Sequence, residues 1–434
     1  MVRVPRWGVT KEHMIMNRRL LSGVNVPRPK AVLGTSLVAL LTCSAAFAAD
    51  PPSREEMWKV IQQQQKEIQA LRGNQKITQK QVKQTKRAVE ATADAMKNVG
   101  SGAQGWWDRT SIGGYGEVHY NAGNADQIDV HRFVLFIGHE YNDDIRLFTE
   151  FELEHALAGD GAPGEVELEQ AWIEFDINKQ ASARAGVFLM PIGILNETHE
   201  PPTFYGVERN RIENRIIPST WWEAGAGLAY NMDNGLRLDA ALHSGLDMPN
   251  GNFLPRSGRQ KVAEATQRDP AVTGRIRYTG IPGLEIASSV QYQSDVTQGD
   301  AGDTESSATL LEAHLDYKKP ISKNMELGFR ALYAKWDIDG SAAAALGRDK
   351  QFGYYVEPSI KFKRASGDVG FFARYSVDDN TDGDNTDSEF EELAFGMNYW
   401  PHENVVLKID YQNQTPPTGT AEDDRINIGI GFQY

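Results

Sequence analysis

The feature that most limits how this chain can fold is a two-residue rhythm that begins near Ser111 and runs to the last residue. In the closing stretch DDRINIGIGFQY (423–434), Ile426, Ile428, Ile430, Phe432 and Tyr434 alternate with Arg425, Asn427, Gly429, Gly431 and Gln433. Successive side chains of a strand point to opposite faces, so this pattern makes one face apolar and the other polar. The rhythm recurs in Phe133/Leu135/Ile137, Leu236/Leu238/Ala240/Leu242, Leu393/Phe395/Met397/Tyr399 and Val405/Leu407/Ile409/Tyr411. Sixteen such segments follow one another, from 111–120 to 424–434. Seven short connections, among them NKQ, NMDNG, GIPG, KKPISKN and WPHEN, alternate with eight longer ones, near 121–127, 156–164, 190–220, 244–270, 294–308, 337–350, 378–387 and 413–423.

A soluble sandwich also alternates, but it does not sort its loops by length strand after strand. Nor does it load its second face with Arg, Glu and Asp. The pattern predicts an all-β fold, a 16-stranded antiparallel transmembrane β-barrel over 110–434, apolar outside and polar toward the lumen. The last strand must then close on the first, so that no backbone edge meets lipid. One segment slips. In 165–176 the apolar set moves from Val166/Leu168 to Ala171/Ile173/Phe175, which predicts a bulge near Glu169-Gln170.

Composition enters at this point. No internal run of about 18 apolar residues exists, so any membrane crossing falls to strands. Ala31 to Thr42 is a short apolar core behind Arg28 and Lys30, and Ala46-Phe47-Ala48 follows it. That order predicts a secretory signal peptide over 1–48. The single cysteine, Cys43, falls inside it. Residues 54–98 show a heptad series, Ile61, Ile68, Gln75, Val82, Val89 and Met96, predicting a short α-helical coiled coil in the periplasm. A lone amphipathic helix is the alternative. A Gly-rich linker over 99–109 joins it to the barrel. The formal net charge is −14 and the barrel segment holds the acidity, which argues against nucleic acid as a partner.

If the apolar residues face lipid, their neighbours face the lumen. These include Arg132, Arg146, Arg184, Arg237, Arg275, Arg277, Arg330 and Arg374, interleaved with carboxylates. So many charges need partners or water, and a barrel of this size leaves an aqueous channel. The connection Pro191–Thr220 is long enough to fold into that lumen and form a pore constriction. It carries Arg209, Arg211 and Arg215 beside Glu208 and Glu213, a set able to hold an anion or, read blandly, to form structural ion pairs. Asp378, Asn380, Asp382, Gly383 and Glu389 match the calcium-loop spacing D-x-N-x-D-G-x5-E, so a structural calcium is one reading and a hydrated turn the other. No catalytic set is visible: there is no GxSxG, no phosphate loop and no zinc spacing, and His199-Glu200 lacks the rest of HExxH. Catalytic residues and cofactors are therefore not expected, and the chain does not read as an enzyme.

ENRIIPSTWWEAGAGLAY (213–230), RAGVFLMPIG (184–193) and the terminal INIGIGFQY resemble the phosphate-selective porin O/P family, over about residues 110–434. The resemblance implies a trimeric sixteen-stranded porin in the outer membrane of a Gram-negative bacterium. It also implies insertion by the barrel assembly machinery, contact with outer-membrane lipid, and an anion or phosphate preference set by lumen arginines. The expected function is passive diffusion of small hydrophilic solutes. The alternative is a structural anchor whose basic coiled coil contacts the cell wall.

Overall fold

The structure is a computed structural model. It describes residues 105–299 and 302–434, together with Trp58 and Gln65, both helical. The signal peptide expected over 1–48 and, apart from those two residues, the coiled coil expected over 54–98 lie outside the described residues. Within the expected linker, Trp106–Arg109 form a single 3-10 turn against the first strand.

Sixteen strands follow in chain order. They are β1 (Thr110–Ala122), β2 (Gln127–Glu140), β3 (Ile145–Glu154), β4 (Val166–Asp176), β5 (Ala181–Leu189), β6 (Trp222–Asn231), β7 (Leu236–His243) and β8 (Ala271–Tyr278). Then come β9 (Leu284–Gln293), β10 (Ser307–Ser322), β11 (Met325–Asp339), β12 (Lys350–Phe362), β13 (Asp368–Asp379), β14 (Phe390–His402), β15 (Val405–Thr415) and β16 (Arg425–Gln433). Each pairs antiparallel with its neighbours in sequence, and β1 pairs with β16, closing the barrel. The closure register runs from Tyr115 opposite Gln433 to Ala122 opposite Ile426. Beyond it, Gly114 and Tyr434 exchange two backbone hydrogen bonds of 3.0 and 2.9 Å. No strand edge is left open, the condition for a sheet to stand in hydrocarbon.

The barrel is inverted relative to a soluble fold. Ile426, Ile428 and Ile430 of β16 are 48, 46 and 41 % exposed, while the intervening Asn427 is fully buried. Phe395, Leu407 and Ile409 are likewise exposed, and Asn398, Lys408 and Asp410 buried. The apolar residues form an outer belt and the charged ones line the inside, as the alternation predicts.

The bulge is found. Glu150 pairs with Gln170 and Phe151 with Leu168, so Glu169 is the extra residue of β4. Glu169 and Gln170 are both buried as a result, and the apolar set returns to the outer face. Several connections are tighter than expected, two of them at the ends of long hairpins. The 121–127 loop shrinks to 123–126, because Asn121 pairs with Gln127 and lengthens the hairpin. In KKPISKN the strands continue until only Lys323 and Asn324 remain between them. Both changes convert unpaired backbone groups into ladder bonds.

The short turns are held by asparagine. Asn142 Oδ1 accepts from the Asp144 and Ile145 amides, and Asn178 Oδ1 from those of Gln180 and Ala181, all at 2.8–2.9 Å. These side chains satisfy the amides that the strands no longer pair. The turns and the C-terminus share one rim, and the longer loops occupy the other.

Candidate functional site: the loop seated inside the barrel

Between β5 and β6 the chain leaves the wall and folds inward over 190–221. This segment is rich in Ile192, Ile194, Leu195, Phe204, Ile212, Ile216 and Ile217, all buried. An apolar loop left at the mouth would expose that surface to water, so burial inside the barrel is favoured at about 25 cal/mol per Å2 of apolar area.

Asn196 ties the neck. Its Nδ2 donates to the Met190 and Trp221 carbonyls at 2.8 and 2.9 Å, and its Oδ1 accepts from the Trp221 amide at 2.7 Å. Glu213 organises the tip. One carboxylate oxygen accepts from the Ile194 and Leu195 amides (2.6 and 2.5 Å), the other from Asn210 Nδ2 (3.0 Å) and the Tyr355 hydroxyl of β12 (2.9 Å).

The descending limb is fixed through its backbone. Five consecutive carbonyls, Pro202 to Gly206, accept from inward side chains: Trp400 Nε1 (3.2 Å), Arg330 Nη2 (3.1 Å), Asn398 Nδ2 (3.0 Å), Arg374 Nη1 (3.4 Å) and Lys408 Nζ (2.8 Å). The Val207 amide then donates to Asp410 Oδ2 at 2.6 Å. These partners come from β11, β13, β14 and β15, so wall charges and loop backbone satisfy each other where water is scarce.

Side-chain contacts complete the seating. Glu208 Oε1 accepts from Asn121 Nδ2 and lies 3.0 Å from His119 Nδ1. Arg211 grips Asp378 with two nitrogens, at 2.7 and 3.0 Å, and lies over the Phe390 ring, 3.3 Å from its centroid. Glu197 pairs with Arg275, which also holds Asp239 at 2.8 Å. Burial alone would push the Glu197 carboxyl up, but Arg275, with Arg184 and Arg277 behind it, outweighs burial and holds it at about 2. In Glu208, burial is outweighed by the hydrogen bond and charge of His119, again giving about 2. Burial pushes the His199 imidazole down to about 4, so it is neutral at pH 7.

The residues singled out in the sequence fall into three groups. Arg132 lies between Glu117 (2.9 Å) and Glu152 (3.3 Å), Arg146 beside Glu174 (2.8 Å), and Arg237 beside Asp239 (2.6 Å). Arg277 faces Glu285 (3.7 Å), Arg330 faces Asp316 (3.1 Å), and Arg374 faces Glu357 (2.9 Å). Arg184 lies over the Phe188 ring, 4.6 Å from its centroid. In the loop, Glu208, Arg211 and Glu213 are committed to the contacts above. Arg215 is exposed, and Arg209 keeps Nε and Nη2 buried without a hydrogen-bond partner. Of the calcium-type set, Asp378 is taken by Arg211 and Asn380 donates to Gln351 at 2.7 Å, while Asp382 and Glu389 are exposed. Two of the four side chains are thus committed to partners outside the set.

Sequence alone did not single out Asn196 or Tyr355, and read Lys408 and Asp410 only as lumen-facing charges, which both are. It also missed an apolar cluster within the barrel, where the loop meets Leu246, Met248 and Phe253 of the 244–270 connection and Leu332, Trp336 and Ile338 of β11. The available signal was that the inward set of β11 turns apolar toward its loop end, at Leu332, Ala334, Trp336 and Ile338.

No family model matches the chain. An uncharacterized protein of Aquifex aeolicus (strain VF5) is 29 % identical over 343 residues, covering 69 % of this chain and 74 % of that protein. Among solved structures, an anion-selective porin from Comamonas acidovorans aligns over 75 % of this chain and 99 % of its own, with TM-score 0.51 and 10 % identity. A loop L8 deletion mutant of OmpT, an outer membrane protein of Vibrio cholerae, aligns over the same shares with TM-score 0.50 and 10 % identity. These likenesses are of fold: a closed outer-membrane barrel.

Proposed function

We propose that this chain is a porin of the Gram-negative outer membrane, a homotrimer through which small hydrophilic solutes diffuse passively. The observation that carries the reading is the combination of an apolar outer belt, an inner wall of paired charges and a long loop seated against that wall. Hydrocarbon selects the first, and water-filled space favours the second. The loop over 190–221 is the constriction, since it narrows whatever passage the wall encloses.

The finer proposal is an anion preference extending to phosphate. Arg209 and Arg215 carry it, because their donors are not consumed by the wall. Arg211 acts through Asp378 as a positioning residue. The resemblance to the phosphate-selective porin O/P family supports the same direction.

Single-channel recording in planar bilayers tests both levels. Stepwise conductance is expected, with a reversal potential in a salt gradient that reports anion preference. Arg209→Ala and Arg215→Ala should each move that potential toward zero, in chloride and in phosphate. Absence of conductance steps would remove the porin reading, and a potential unmoved by either substitution would remove the arginine assignment.

A further inference from the structure

Three acceptor atoms converge where β3, the bulge of β4 and the inner loop meet, with no donor among them. Glu150 Oε1, Glu169 Oε2 and His199 Nε2 are each buried without a hydrogen-bond partner. The side chains are 1, 0 and 4 % exposed. Nε2 stands 3.5 Å from Glu150 Oε1 and 3.8 Å from Glu169 Oε2, and all three atoms lie within 4.8 Å of one another.

The opposite side of each group is occupied. Glu150 Oε2 accepts from Gln170 Nε2 at 2.6 Å, and Glu169 Oε1 from the Thr220 hydroxyl at 2.7 Å. His199 Nδ1 faces the Asn196 carbonyl at 3.2 Å. A carbonyl can only accept, so Nδ1 carries the hydrogen and Nε2 presents its lone pair to the two carboxylates. Metal-binding histidines are oriented in this way, their second nitrogen donating to a carbonyl or carboxylate. Three lone pairs aimed at one buried point repel each other and lack the partner that buried acceptors require.

We propose that Glu150, Glu169 and His199 bind one divalent transition cation. The separations fit: donors about 2.1 Å from a shared ion at a tetrahedral angle stand about 3.4 Å apart. The donor set is two carboxylates and an imidazole, with no sulfur. It suits zinc, manganese, cobalt or iron(II), and excludes sites built for copper(I). The bulge gives the site its second carboxylate, because the extra residue turns Glu169 inward beside Gln170. Two ligands stand on the wall and one on the loop, so the cation staples the loop to the barrel. The inference does not rest on transport, since the ion would bind whether or not the barrel conducts.

The test uses the full chain in detergent, stripped with EDTA and dialysed against zinc, with metal per protein measured by mass spectrometry. Cobalt(II) serves as a second, spectroscopic probe. Expected are one ion per protomer, a visible cobalt band, and affinity weakened at least roughly tenfold in both His199→Ala and Glu169→Gln. His402→Ala, at the exposed end of β14, should bind as the parent does. Circular dichroism and heat-modified gel mobility establish that the variants fold. If both variants fail to fold, the stoichiometry and cobalt spectrum of the parent decide. A stripped parent that takes up no stoichiometric ion, as when a proton is shared by the carboxylates instead, overturns the proposal. Unchanged binding in both folded variants also overturns it.

Discussion

Glu213 shows how one side chain can hold a loop. It is fully buried, yet its two oxygens receive four donors, two of them backbone amides. Glu213→Ala would leave those donors without an acceptor, at about 1–3 kcal/mol for each one that stays buried. The expected outcome is a loop that becomes sensitive to protease and a melting temperature several degrees lower, with the barrel strands still formed. Unchanged proteolysis and melting would show that the tip is held elsewhere. In sequence this glutamate looked the same as Glu208, because nothing local distinguishes a carboxylate that meets amides from one that meets a histidine. The partner Tyr355 comes from a strand 142 residues away.

At the scale of the element, the loop and the wall were shaped for each other. Gly353, Gly429 and Gly431 line the inside where the loop rests. A Cβ at Gly431 would stand 2.3 Å from Pro201 Cβ, and one at Gly353 would stand 3.0 Å from both Ile212 and Ile216. The glycines of the terminal strand, read in sequence only as its polar partner face, are thus the seats of the loop. Seating also depends on charge. The Glu197 and Glu208 carboxyls titrate at about 2, below the ordinary value of about 4.3. Their folded-state values are depressed, so their contribution is complete above about pH 4.3 and is lost as pH falls toward 2. Current noise or protease sensitivity of the loop should therefore be flat from pH 7 to about 5 and rise between about 4 and 2. A rise beginning above pH 6 would assign the change to other groups.

At the scale of the whole molecule, the decisive property is that the apolar surface lies outside. Phe395 sits midway along β14 and is 48 % exposed. Phe395→Arg should destabilise the barrel in vesicles by about 2–4 kcal/mol, read as a lower urea midpoint, because a charge there meets hydrocarbon. A midpoint equal to that of the parent would mean the belt faces water.

Strand number, hairpin order, closure and the Glu169 bulge were all legible from the chain alone. Each follows from alternation and turn chemistry, which act between near neighbours. The side chains that face one another across the enclosed space were decided only by closure. The pairing of Arg211 with Asp378 and of Glu197 with Arg275, and the approach of His199 to Glu150 and Glu169, join residues with no fixed spacing in sequence. Curvature of the wall brings them together, and a linear pattern has no term for that distance.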